Sequence, residues 1–280
     1  MTPEVISVCV NYHNDTGTLE FVTELLEQET SLAQRVIIVD NNECSEGNCG
    51  TSRLENFSRE HPDVDYYRPG GNLGYYGAAK WGVSRYLEAG TLPEWIIVSN
   101  TDISFENRSF IATMAETFRF APPAVVAPSI ISRVSGRDQN PFMRVRPGRL
   151  RMHAYKVLFR FDLPTKAYGY MSRLKHRAVG SSGQAPPHVA ARIYAPHGAY
   201  VIFNRRYFEA GGTLEYLPFL FDEEIFVAET ARRLGLDVVY EPRLKVIHEE
   251  HATTGISGPM REHKYDAARY CADNYFPWGA

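Results

Sequence analysis

The sequence predicts an α/β protein built on a mainly parallel sheet with helices on both faces. Three observations carry this. Short β-branched runs alternate with stretches of helical period, the connections between them are short, and the apolar runs end abruptly in polar or acidic residues. Glu4 to Val10 reads as the first strand, rich in Val and Ile. Thr18 is placed to cap a helix whose Leu19, Val22, Leu25 and Leu26 fall on one face. Arg35 to Val39 is a second buried strand, closed by Asp40-Asn41-Asn42. Gly74 to Ala89 carries Ala78, Ala79, Trp81, Val83, Tyr86 and Leu87 at helical spacing, and Gly90 stops it. Trp95 to Ser99 is the next strand, Phe110, Ile111, Met114 and Phe118 mark the following helix, and Ala124 to Ala127 is a short strand.

That rhythm then breaks. Pro141, Pro147, Pro164, Pro186 and Pro187 divide a long segment in which only Leu150 to Phe161 and Tyr168 to Arg177 read as short amphipathic helices. Regular structure resumes with a strand over Gly198 to Phe203 and a helix over Glu223 to Leu234, closed by Gly235. Val238 to Tyr240 and Lys245 to Ile247 give two further extended pieces.

Charge divides the chain in the same place. Between Arg133 and Ala190 stand twelve Lys or Arg residues against Asp138 and Asp162, while the whole chain carries a net −3. The segment is therefore about +10 and the remainder about −13. Two readings account for it: a surface for an anionic acceptor or acidic membrane face, with Tyr155, Phe159, Phe161, Tyr168 and Tyr170 among the charges, or a subdomain paired with the acidic remainder of this chain or a second subunit.

Other bulk features narrow the class. A net charge of −3 gives no footprint for nucleic acid, and no apolar run approaches a membrane span. Met1-Thr2-Pro3-Glu4 lacks the basic start and apolar stretch of an export signal, so a cytoplasmic protein is expected. Cys9, Cys44, Cys49 and Cys271 fit no zinc spacing; Cys9 lies in a strand pattern as a buried thiol, and Cys44 and Cys49 are expected unpaired.

Three clusters could carry chemistry. Asp40-Asn41-Asn42 and Ser99-Asn100-Thr101-Asp102 each follow a strand, at the carboxyl edge where open α/β sheets bind ligands. Asp222-Glu223-Glu224 opens a helix. One acidic residue suffices to cap a helix; three adjacent carboxylates repel and raise at least one pKa toward the range of a general base. His248 ends a strand and His251 follows it; with Asp102 it supplies ligand types that Mg²⁺ or Mn²⁺ accepts beside a diphosphate. The glycines of Gly70-Gly71-Asn72-Leu73-Gly74 have the wrong spacing and position for a dinucleotide fingerprint.

The order of these clusters resembles inverting glycosyltransferase family 2, nearest its bacterial rhamnosyltransferase-like members, over nearly the whole chain. Val8-Cys9-Val10-Asn11-Tyr12 is similar to the first strand, whose end contacts the nucleotide. Val39-Asp40-Asn41-Asn42 resembles the turn whose Asp bonds the pyrimidine ring, and Asn72-Leu73-Gly74-Tyr75-Tyr76-Gly77-Ala78-Ala79 the segment near base and diphosphate. Ser99-Asn100-Thr101-Asp102 stands in place of the Asp-x-Asp motif, with Asn100 replacing the first carboxylate. Pro196-His197-Gly198-Ala199-Tyr200-Val201-Ile202-Phe203 resembles the small-residue strand lining the acceptor pocket. Pro218-Phe219-Leu220-Phe221-Asp222-Glu223-Glu224 resembles the motif bearing the catalytic base, and Tyr240-Glu241-Pro242 through His248 the terminal strand.

The resemblance implies the GT-A (nucleotide-diphospho-sugar transferase) fold, with a basic helical insertion. One domain over 1–280 is expected, with 1–130 binding the nucleotide sugar, 131–195 inserted, and 196–280 carrying acceptor contacts and base. It implies Asn11, Tyr12, Asp40, Asn72, Gly74, Asn100 and Thr101 on the donor, Asp102 and His248 on Mg²⁺ or Mn²⁺, and Glu224 as base, with Glu223 and Asp222 as alternatives. Lys80 is a further donor-binding candidate, and Lys80 and Arg205 are the candidates to neutralise the diphosphate in place of a metal. The implied reaction moves a sugar, dTDP-L-rhamnose being the leading donor among dTDP- and UDP-sugars, to a saccharide or lipid-linked saccharide for cell-surface polysaccharide. Peripheral contact with anionic membrane through 133–190 and a homodimer are further expectations. A sugar-phosphate nucleotidylyltransferase, which would need a basic glycine-rich loop where Asn11-Tyr12-His13-Asn14-Asp15 stands, and a non-catalytic sugar-nucleotide or glycan-binding module are the alternatives.

Overall fold

A computed structural model describes residues 4–43, 52–162, 165, 188–250 and 258–278. The strands are β1 (Val5–Asn11), β2 (Gln34–Asp40), β3 (Val64–Tyr67), β4 (Trp95–Ser99), β5 (Ile103–Phe105), β6 (Val125–Ser132), β7 (Ala191–Arg192), β8 (Tyr200–Asn204) and β9 (Val238–His248). The helices are α1 (Asp15–Leu26), α2 (Arg53–Glu60), α3 (Tyr75–Ala89), α4 (Phe110–Thr117), α5 (Arg149–Phe159), α6 (Arg205–Glu209), α7 (Glu223–Arg233) and α8 (Gly258–Tyr275). The sheet runs β3-β2-β1-β4-β8-β6-β9-β5, and β7 also pairs with β9.

Alternation along the strands builds two cores. Ile6, Val8, Ile37, Val39, Ile96 and Val98 face one side, packed with α3, α7 and α8 through Ala79, Phe226 and Cys271. Val5, Cys9, Val36, Ile38 and Ile97 face the other, against Phe21 and Leu25 of α1 and Met114 of α4. Helices on both faces explain why the strands read as unbroken apolar runs rather than as alternating ones.

The sheet is mixed. β1 to β4 are mutually parallel, as their helical connections require, but β8 is antiparallel to both β4 and β6. β9 runs parallel to β6, and β5 antiparallel to β9. β8 reaches β4 after the long insertion, so no direct crossover helix dictates its direction.

Local readings also shift. Helix α1 starts three residues before Thr18: Asn14 accepts from the Gly17 N–H as its cap, and the buried Thr18 hydroxyl donates to Asn11 instead. The two extended pieces near the end are one strand, β9. Its register against β6 jumps from Glu241 to Lys245 while β6 advances only from Pro128 to Ser129, so the Pro242 region is absorbed as a bulge. The strand beginning near Ala124 extends to Ser132.

Within the basic insertion, Arg133 pairs with Glu249 at 2.9 Å, Arg146 with Glu229 at 2.6 Å and Lys156 with Asp273 at 2.7 Å. Part of the excess positive charge thus meets acids elsewhere in the chain. The helix read over Tyr168 to Arg177 lies outside the described residues, as do Cys44, Cys49 and His251. Among the described residues no helix is long and apolar enough to cross a membrane.

Candidate active site

The carboxyl ends of β1, β2 and β4 form one edge, and most of the polar clusters meet there. At the end of β1, Asn11 is fully buried. Its amide donates to Asp15 and to Asp40 at 3.0 and 3.2 Å, and its carbonyl accepts from Thr18 and the Asn14 N–H. Asp40 is likewise fully buried, and takes hydrogen bonds from Tyr66 (2.6 Å), from Arg68 and from Asn11. Both residues are therefore set inside the wall of the edge, each held by hydrogen bonds within the chain. The groups of this cluster nearer the surface are Arg68, with its side chain 20% exposed, and Tyr12, 44% exposed.

Asn41 ties this wall to the glycine segment. Its amide donates to Asn72 (2.8 Å) and the Gly74 carbonyl (3.2 Å), and its carbonyl accepts from the Leu73 N–H (2.8 Å). Gly74 is required for its conformation, with φ 73°, and for space: a Cβ there would stand 2.0 Å from the Phe219 carbonyl oxygen. The start of α3 is thus pressed onto the loop that leads into α7.

Asp102 meets His248 through a pairing that sequence reading did not find. Strand β5, three residues long, runs antiparallel to β9 and sets Ile103 opposite His248. The Glu249 N–H donates to the Asp102 carbonyl at 2.9 Å. His248 Nε2 then lies 3.3 Å from Asp102 Oδ2. Its Nδ1 lies 2.8 Å from Oε1 of Gln139, whose amide donates to Glu250 at 2.6 Å and so turns its carbonyl toward the imidazole. Nδ1 therefore carries a donated proton, and Nε2 faces a carboxylate oxygen. An imidazole nitrogen and a carboxylate oxygen at this distance either share a proton or flank a cation. An imidazole nitrogen with a carboxylate oxygen suits Mn²⁺ or Mg²⁺. Among the described residues no group of three His, Cys, Asp or Glu is assembled.

Glu224 reaches the same region from α7. Its Oε1 accepts from the Gly198 N–H at 3.2 Å, and a Cβ at Gly198 would stand 3.0 Å from that oxygen. Tyr75, at the start of α3, donates to the Gly198 carbonyl at 3.0 Å. His197 precedes Gly198, and its ring centre lies 5.9 Å from that of His248. The backbone at 197–198 thus bridges the Asp102–His248 pair and Glu224. The Ala199 N–H donates to His197 Nδ1 at 3.2 Å, leaving Nε2 as the protonated nitrogen. Burial, reinforced by His248, pushes His197 down to about 4, so it is neutral at pH 7.

The entrance to α7 is strained. Phe221 and Asp222 both have positive φ, 73° and 59°, held by a 2.6 Å hydrogen bond from Tyr216 to the Phe221 carbonyl. Burial pushes the Asp222 carboxyl up to about 7, with Glu224 adding to the shift and Lys264 opposing it. Glu223 and Glu224 are both raised, chiefly by burial, and Glu223 also by the charge of Glu224. Raised pKa values are what three adjacent carboxylates lead one to expect; their burial adds the larger part.

The remaining predicted residues divide. Thr101 is buried and accepts from Asn14 at 3.4 Å, while Asn100 lies partly open at the same strand end. Lys80 pairs with Glu215 at 2.8 Å, and among the described residues no contact ties it to Asp102 or His248. Arg205 is corrected outright: its backbone and side chain bond the carbonyls of Leu92, Pro93 and Glu94, at the opposite end of β4. Gln139 and Tyr75 escaped sequence reading because isolated polar residues in a loop and at a helix start carry no periodic signal. His197 had one clue, a histidine beside a glycine at a strand entrance.

Comparison with known proteins agrees with this architecture. The sequence profile described as glycosyl transferase family 2 matches residues 7–177, more than half of the chain. No curated protein matches at the sequence level. Among solved structures, the mannosyltransferase PcManGT from Pyrobaculum calidifontis, in complex with GDP-Man and Mn²⁺, superposes with a TM-score of 0.53 at 13% identity, covering 97% of this chain and 70% of that one. GalNAc-T7 with UDP, GalNAc and Mn²⁺ superposes with a TM-score of 0.58 at 13% identity, covering 89% of this chain and 44% of that one. These likenesses show the GT-A fold, and the matched profile the family: the chain belongs to glycosyltransferase family 2 and is a glycosyltransferase.

Proposed function

We propose that the chain is an inverting, metal-dependent transferase that moves a sugar from a pyrimidine nucleoside diphosphate, with dTDP-L-rhamnose the leading donor, to a hydroxyl of a saccharide or lipid-linked saccharide. The observation that carries the reading is the bridge at 197–198, which sets a base candidate and a cation-binding pair on either side of one short strand entrance. Glu224 takes the proton from the acceptor hydroxyl, which attacks the anomeric carbon from the face opposite the nucleotide. Burial raises its affinity for a proton, which suits a base, and the Gly198 N–H fixes one oxygen so that the other is presented to the hydroxyl. Asp222 and Glu223 hold the charge of this corner low by staying partly protonated.

Asp102 and His248 would hold Mn²⁺ or Mg²⁺, which supplies charge neutralisation for the departing diphosphate. Gln139 keeps the His248 tautomer that leaves Nε2 free for the ion. Tyr12 and Arg68 border the donor edge, where Asn72, Gly74, Asn100 and Thr101 are its other polar groups, and Asn11 and Asp40 brace it from behind. We also propose that 1–280 acts as one unit, since β8 and β9, from its last part, share a sheet with β1 to β4. The product would serve cell-surface polysaccharide synthesis, with residues 133–190 in peripheral contact with anionic membrane and the enzyme at its cytoplasmic face.

Thermal melting in the presence of UDP, dTDP, GDP and their sugars, each with and without Mn²⁺, tests the donor. The expected outcome is stabilisation by a pyrimidine diphosphate that grows with Mn²⁺. A response to GDP alone would overturn the pyrimidine assignment.

A further inference from the structure

Helix α5 has two apolar faces where a surface helix needs one. Met152 is fully buried, Tyr155 packs against the core, and the Phe159 carbonyl accepts from Arg261 of α8. The opposite stripe, Leu150, His153, Ala154, Val157, Leu158 and Phe161, repeats at the same helical spacing and lines an open groove of about 490 Å³ completed by Trp278. Leu150 is 76% exposed, Val157 60%, Phe161 53% and Trp278 62%. The His153 and Trp278 rings lie 4.5 Å apart and join the helix to the chain's last described turn.

The helix's own charged side chains on the flanks of this stripe are all cationic. Arg149, Lys156 and Arg160 fall along one border at helical spacing, and Arg151 along the other. Lys156 meets Asp273, whereas Arg151 bonds the Tyr155 hydroxyl and Arg160 lies over the Phe161 ring, 5.9 Å from its centre. An exposed apolar stripe bordered by long cationic side chains, with a Trp at its margin, has the chemistry of a helix lying in the headgroup layer of an anionic bilayer. A second copy of this chain is the poorer occupant, because symmetric packing would bring two cationic borders together.

We propose that the outward face of α5, with Trp278, is the surface through which this protein sits on anionic lipid. This rests on the membrane contact put forward above and narrows it from 133–190 to one helix face. Long basic side chains keep their charges at phosphate level while Leu150, Val157 and Phe161 enter the acyl boundary.

Flotation with phosphatidylglycerol-containing vesicles, against pure phosphatidylcholine, tests it on the full chain. Wild-type protein is expected to float with the anionic vesicles and to be released by high salt. Leu150→Asp and Val157→Asp should each lower partition about tenfold, from the apolar area they remove. Val134→Asp, 75% exposed in the same basic segment but off α5, should leave it unchanged. Brominated lipid should quench the part of the emission that Trp278→Phe removes, a readout on native helix surface that needs no core substitution. Wild-type protein that ignores anionic vesicles overturns the broader membrane reading together with this one. Flotation that survives both Asp substitutions, without quenching of Trp278, overturns only the assignment to α5. A dimer in lipid-free solution that Val157→Asp dissociates, with no flotation, identifies a second copy as the occupant and overturns the proposal.

Discussion

Asp40 and Glu224 are acidic residues at the same edge of one sheet, and the protein treats them in opposite ways. Asp40 is surrounded by donors: Asn11, Tyr66 and Arg68 between them engage both oxygens. Glu224 is held by backbone N–H groups, and it has two carboxylates beside it in sequence and a raised pKa. A carboxylate saturated by partners spends its charge on architecture. One left short of partners, in a strained helix entrance, keeps a proton affinity that can be used on a substrate. The contrast separates the rigid donor wall from the corner where a proton can move.

Removing the proposed base should produce the largest effect. Glu224→Gln preserves shape and the Gly198 hydrogen bond, so transfer should fall by about 10²–10⁴-fold while stabilisation by donor nucleotide persists. If Glu223→Gln or Asp222→Asn abolished transfer and Glu224→Gln did not, the base would be reassigned.

On the donor wall, Arg68→Met strips the buried Asp40 of its cation. A loss of about 3 kcal/mol is expected in urea denaturation, with far less change in the pH dependence of turnover. A neutral outcome would show that Tyr66 and Asn11 suffice to hold Asp40.

Between the two clusters stands Gln139. Gln139→Leu frees the His248 tautomer, and the Mn²⁺ concentration for half-maximal activity should rise about tenfold or more, with the melting temperature little changed. An unchanged metal requirement would separate Asp102 and His248 from the cation.

The smallest effect is a pH dependence of stability. The Asp222 pKa rises from 3.8 to about 7 on folding, so its contribution is present below about pH 4 and is lost as pH climbs through 7. Asp222→Asn, which tolerates the left-handed backbone, should therefore melt higher than wild type at pH 8 and match it only at about pH 3.5. Equal melting at both values would mean that the carboxylate is solvated or paired.

Much of this was legible beforehand, for identifiable reasons. Trp95 to Ser99 matched its strand because an apolar run bounded by polar residues has one good solution, and α7 opened at Glu223 because the acidic triplet and Gly235 delimit it. The triplet also announced its own electrostatics, since neighbouring carboxylates repel wherever the helix is placed. Strand β5, too short for a pattern, and the bulge at Pro242 went unread. So did the direction of β8, which depends on what the sheet needs rather than on local residues.

The sequence by itself determined the longer strands and helices, the polar clusters that close them, and the family resemblance those clusters carry, because all of these are properties of neighbours along the chain. Only the tertiary structure decided which groups meet and which are spent. Asp102 meets His248 because β5 pairs with β9 across just over half the chain, while Asn11 and Asp40 withdraw into the wall because donors from the start of α1 and the end of β3 converge on them. Spatial proximity between distant residues and the saturation of hydrogen-bonding groups are properties of the packed chain, and no local pattern encodes them.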